Sequence, residues 1–178
     1  MVKAAIFPLH IWLPSAYTFA PSAVAVLLTA TATKAALYVL ARILFTLLFN
    51  ADDFTVIILQ WVLLPASIVA IFFGTIRAIF EKDIKKLLAF SSLSQIGYIT
   101  IGLTLGTASG IMASFIHIAN HSMMKAALFM GIGAISIQLK KSINVDDLKG
   151  LSKSMPVTSI SLTIVILSLL GIPLTIGL

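Results

Sequence analysis

Apolar residues run along this chain in long unbroken blocks, and polar residues are gathered between the blocks instead of alternating within them. The blocks at 21–49, 55–80, 87–106 and 111–137 are each long enough to cross a bilayer, which predicts four transmembrane helices. Residues 1–20 are different. Pro8 and Pro14 bracket LHIWL, and each proline removes a backbone donor and crowds the preceding turn, so a half-helix or re-entrant segment followed by a loop is expected there. Pro65 predicts a kink in the third block, and GTASG at 106–110 predicts a tight turn. The stretch 139–155 is polar, with Val145, Leu148 and Leu151 recurring among charges, and predicts a cytoplasmic loop carrying a short amphipathic helix. Residues 157–178 are apolar again and predict the start of a broken transmembrane helix, with the break at Pro173. The fold class is therefore all-α: a polytopic transmembrane bundle with interrupted helices.

Composition agrees with the blocks. The 178 residues are 60% hydrophobic and 10% charged, with a mean hydropathy of +1.11, as expected of an integral, multi-pass membrane protein. The net charge of +6 sits in short clusters beside the spans, without interleaved aromatic residues, and so points to lipid headgroups and topology, not nucleic acid. Arg77, Lys82, Lys85 and Lys86 fall in one connection and Lys140, Lys141, Lys149 and Lys153 in another, whereas 50–54 and 106–110 hold no Lys or Arg. That alternation places the two basic connections on the cytoplasmic side. There are no cysteines, which excludes disulfides, thiolate metal sites and iron–sulfur clusters. No cofactor, metal site or redox chemistry of the chain's own is implied.

The candidate chemistry lies inside the spans. His117, His121 and Lys125 are spaced i, i+4, i+8, so on a helix they share one face with about 6 Å between neighbours. An ionisable residue at membrane depth costs at least ~2.5 kcal/mol, and a row of three reads as a proton or ion path facing protein or water, against the blander alternative of helix-to-helix hydrogen bonding. Lys34 is the second candidate. From the middle of 21–49 its side chain would have to climb roughly 15 Å to water, beyond the reach of its stem. Lys3 taken alone reads as an interfacial anchor, Trp12 and Tyr17 as residues of the aromatic belt, and His10 as part of the broken segment. Ser91, Ser92, Ser94 and Gln95 are expected to bond across helices.

All six carboxylates, Asp52, Asp53, Glu81, Asp83, Asp146 and Asp147, lie in connections or at span ends. Lys34 and Lys125 are then either neutral amines or paired with acids outside this sequence. A lysine switched between those forms by a moving carboxylate would be a gated proton carrier.

Three stretches together resemble the antiporter-like subunits shared by Mrp-type cation/proton antiporters, respiratory complex I (NADH:quinone oxidoreductase) and membrane-bound hydrogenases, with the D-type subunits of Mrp antiporters nearest. They are FPLHIWLPSAY with Ala20-Pro21 and TATKAALYVLAR, then DIKKLLAFSSLSQIGY, then HIANHSMMKAALFMGIGAI. The resemblance implies a fragment of a fold of about fourteen helices, from the interrupted seventh to the start of the broken twelfth. It implies that Lys3, Lys34, His117, His121 and Lys125 belong to a midplane proton line, which revises the anchor reading of Lys3. It also implies an acidic partner for Lys3 before Met1, a further lysine or glutamate beyond Leu178, and other membrane subunits as partners. Ser15 departs from the family's aspartate after WLP. The function expected is proton translocation in a prokaryotic inner membrane, coupled to Na+ or K+ exchange. The alternatives are a proton-pumping subunit of complex I or a hydrogenase, or a truncated remnant that transports nothing.

Overall fold

A computed structural model of the chain describes residues 1–47 and 58–172. After a series of turns, α1 (Trp12–Phe19) leads into α2 (Ser22–Leu27), a π-helical turn (Leu28–Ala32) and α3 (Thr33–Arg42), followed by a second π-helical turn (Ile43–Leu47). A third π-helical turn (Ile58–Leu63) enters α4 (Leu64–Phe80), then come α5 (Ile84–Thr104) and α6 (Ala108–Leu139). A 3-10 turn (Val145–Leu148), the short α7 (Leu151–Ser154) and α8 (Pro156–Leu169) complete the described chain. Ser22–Thr46, Trp61–Phe80, Ile84–Thr104 and Ala108–Leu139 are each long and apolar enough to cross a membrane. The protein is a membrane-spanning helical bundle.

Several boundaries differ from the block reading, and capping explains them. Asp83 accepts a hydrogen bond from the backbone N–H of Lys86 at 3.1 Å, so α5 starts three residues early and absorbs Lys85 and Lys86 into its first turn. Thr107 does the same for Gly110 at 3.1 Å, so α6 starts at Ala108 and the turn shrinks to the residues around Gly106, whose φ of +64° suits glycine. Pro65, expected to kink the span, lies in the first turn of α4 directly after a π-helical turn that runs into it without interruption. Pro14 does not break its segment. It is the third residue of α1, where its missing N–H has no partner within the helix to lose. Pro173 lies outside the described residues.

Packing is closest between α4 and α5, which run antiparallel through the bundle. A Cβ on Gly97 would stand 2.8 Å from the Ser67 carbonyl, and one on Gly74 would stand 2.9 Å from that of Phe90. Only glycine permits this approach, and in lipid such close contact is what holds helices together. Helix α6 packs on α5, on α2 and its π-helical turn, and on α8. Tyr17 is fully buried with its ring 5.5 Å from that of Phe129 in a T-shaped pair, so it belongs to the core and not to an aromatic belt.

The two basic connections are tied to each other by backbone bonds. Ile84 N–H donates to the Ile143 carbonyl at 3.1 Å and Val145 N–H to the Lys82 carbonyl at 3.1 Å, which laces the loop after α6 to the start of α5. Asp147 accepts from the Asn144 N–H at 2.9 Å and from Lys141 Nζ at 2.6 Å. Those contacts, the Lys141 bond foremost, hold its carboxyl below the usual range.

Candidate functional site: a buried row of histidine and lysine

The polar groups of α6 face α5 in antiparallel register. Ser114 Oγ donates to the Ile99 carbonyl at 3.0 Å, His117 Nε2 meets Gln95 Oε1 at 2.7 Å, and Lys125 Nζ donates to the Leu88 carbonyl at 2.8 Å. The step from Ser114 to Lys125 along α6 equals the step from Ile99 back to Leu88 along α5, so these are rungs of one ladder. Between the last two lies His121. Its ring stacks on that of His117 with centroids 6.0 Å apart and planes 6° from parallel, the spacing the i, i+4 pattern required.

Burial is graded along the row. His117 is half-buried and lines a cavity of about 400 Å³ with Tyr98, Gly102, Ser114 and Asn120. His121 and Lys125 are fully buried, and among the described residues neither ring nitrogen of His121 has a hydrogen-bond partner. Buried polar groups are normally hydrogen-bonded, and the exceptions call for an explanation.

Lys34 reaches this row from the other side. It stands at the midpoint of Ser22–Thr46, just after the π-helical turn that packs on α6, and is 4% exposed. Its Nζ donates to the Thr29 carbonyl of its own helix and to Thr33 Oγ1 at 3.3 Å. Lys34 lies within electrostatic range of His117, His121 and Lys125. The structure therefore brings four of the five predicted path residues into one electrostatic neighbourhood.

No carboxylate enters it among the described residues. Glu81 accepts from the backbone N–H groups of Lys82 and Asp83, Asp83 caps α5, and Asp146 and Asp147 pair with Lys149 and Lys141. Both buried lysines rest on carbonyl or hydroxyl oxygens.

Comparison with known proteins gives this arrangement a context. The family described as "NADH:quinone oxidoreductase/Mrp antiporter, TM" matches residues 1–178. The chain belongs to this family. It is 35% identical to NADH-quinone oxidoreductase subunit N of Desulforudis audaxviator (strain MP104C), over 99% of this chain and 34% of that protein. It is equally 35% identical to the D subunit of the Na(+)/H(+) antiporter of Alkalihalophilus pseudofirmus, over 97% and 34%. Among solved structures it is similar to a chain of the membrane-bound sulfane sulfur reductase, an archaeal respiratory membrane complex (TM-score 0.89, 37% identity, 97% of this chain and 34% of that one). It also matches the Mrp complex from Dietzia sp. DQ12-45-1b (TM-score 0.87, 32% identity, 97% and 31%). The chain spans about a third of the length of the curated relatives named here.

Within this antiporter-family segment the remaining candidates fall elsewhere. Lys3 is exposed and does not join the row. His10 is buried against Phe7 and Phe73, with ring centroids at 5.1 and 5.0 Å, and Pro8 sits among the turns ahead of α1. Ser92 and Ser94 bond carbonyls of their own helix, whereas Gln95 does reach across to another, as expected of that polar group. The polarity of the α5 start is visible in the sequence, but which of its side chains face α6 is fixed only by packing. Tyr17, buried against α6 through Phe129, is not foreseen, because an aromatic residue near a broken helix reads equally well as an interfacial one.

Proposed function

We propose that this segment carries protons laterally through the membrane along Lys34, His117, His121 and Lys125, as part of a subunit of a multisubunit complex in a prokaryotic inner membrane. The observation that carries the proposal is the stacked pair His117–His121 leading to Lys125, fully buried, with Lys34 alongside and no carboxylate among the described residues committed to either lysine. Each of these groups can hold or release one proton, and moving charge past them changes how strongly the next one holds its own. Lys3, which is exposed, would meet groups from other helices of the complete subunit.

Exchange of protons for a monovalent cation such as Na+ or K+ is the preferred coupling, with other membrane subunits as partners. A second reading, proton pumping coupled to a quinone reductase or hydrogenase, is favoured by the equal identity to a NADH-quinone oxidoreductase subunit. The test common to both uses a complete subunit carrying this segment, assembled with its partners in vesicles containing a pH-sensitive dye. Lys125→Ala should lower proton movement by about a hundredfold, while Met123→Ala, on the exposed face of the same helix, should leave it near normal. Equal transport by the two variants would reduce the row to a set of helix ties.

A further inference from the structure

We propose that Gln95 is a positioning residue that fixes the protonation geometry of His117: its amide oxygen holds the proton of the neutral ring on Nε2, so that Nδ1 is the nitrogen that takes up a proton. The proposal rests on the proton-path reading only for its effect on transport. A neutral imidazole carries one N–H, and its place is set by what the ring faces. Here Nε2 meets an oxygen, Gln95 Oε1, at 2.7 Å across the α5–α6 interface. An amide oxygen cannot donate, so the ring must. The consequence is directional: the Nε2 proton is engaged by α5, and exchange with the neighbourhood is left to the opposite edge of the ring.

The surroundings suit that division. His117 is the half-buried member of the row and lines the cavity with Ser114 and Asn120, while its ring face stacks on His121. Among the described residues, the titratable or charged groups nearest it are His121 on α6, Lys34 on α3, and Tyr98 on α5 in the same cavity. None of these is a carboxylate, and Gln95, a neutral amide, orients the ring without adding charge. A glutamate in its place would do both.

The test uses the protein in bilayers with 15N-labelled histidine, whose ring signals separate the two neutral tautomers and the imidazolium. The signal of His117 is identified by its loss in His117→Gln. The wild-type protein should show His117 with Nε2 protonated and Nδ1 bare at neutral pH. Gln95→Leu should give a mixture of tautomers. Gln95→Glu, which keeps the shape, should hold the imidazolium to a pH at least about one unit higher, because a carboxylate favours the charged ring. In the complete subunit, Gln95→Glu should move the pH midpoint of transport the same way. A wild-type ring with its proton on Nδ1, or a tautomer unchanged in Gln95→Leu, would overturn the proposal. Failure of the proton path itself would show instead as normal transport in Lys125→Ala, with the tautomer result intact.

Discussion

The two buried lysines, Lys34 and Lys125, are accommodated in opposite ways. Around Lys34 the helix itself is altered: a π-helical turn precedes it, and its Nζ folds back onto the Thr29 carbonyl and the Thr33 hydroxyl of the same segment. Around Lys125 the helix is regular from Ala108 to Leu139, and Nζ donates to a carbonyl of the neighbouring helix, Leu88. The first site is made by one helix, the second by two. A π-helical turn widens the backbone and turns its hydrogen bonds to a longer spacing, often at functional positions, so the Lys34 site can change while its neighbours stay in place. The Lys125 site can form only if α5 and α6 keep their register.

The largest effect is expected from Lys34→Arg in the complete subunit. Arginine keeps the charge but does not release its proton under ordinary conditions, so assembly should persist while proton movement falls about a hundredfold. Normal transport by an assembled arginine variant, measured in dye-loaded vesicles, would make Lys34 a fixed charge and erase the contrast. Next comes Gly97→Leu, which pushes against the Ser67 backbone at the α4–α5 contact. It should lower stability by about 1–3 kcal/mol, read by thermal unfolding in detergent, and should disturb the two-helix Lys125 site more than the one-helix Lys34 site.

Ser114→Ala removes a rung of the α5–α6 ladder and should cost about 0.6 kcal/mol in the same assay. A loss of several kcal/mol would mean that the ladder, and not glycine packing, holds the bundle. The smallest effect is at the surface. The Asp147 carboxyl is held low by Lys141 and by the Asn144 N–H, so its contribution to loop docking is present above about pH 4 and is lost as pH falls through its lowered value in the folded protein. Hydrogen exchange at the Asn144 amide, corrected for its intrinsic pH dependence, should therefore speed up on acidification, and Asp147→Asn should abolish that dependence.

The spans are legible in the sequence because hydropathy blocks report burial in lipid directly, and the row on α6 because i, i+4, i+8 spacing needs only a helix. The π-helical turns are not. Nothing in LTATA or ILQWVL differs from ordinary helical sequence. Hydropathy alone also misplaces two helix starts: Asp83 and Thr107 each move one by three residues, and both capping signals stand in the sequence. Pro14 carries less weight than a proline in a helix interior, since in a first turn it is neutral. Gln95 falls among the groups expected to cross between helices, but its partner lies 22 residues away and no local pattern names it.

The hairpin of α5 and α6 is closed at both corners: by the turn at Gly106 and Thr107 on one side, and on the other by the paired backbone bonds joining Lys82 and Ile84 to Val145 and Ile143. A frame pinned at both corners cannot shear, so neither helix can slide by a turn past the other without unlacing one end. Any cycle that lifts Lys125 from the Leu88 carbonyl must then work by swinging a side chain within a stationary frame. On the proposed proton-path reading, the moving part would be a handful of atoms, with the helices as its chassis.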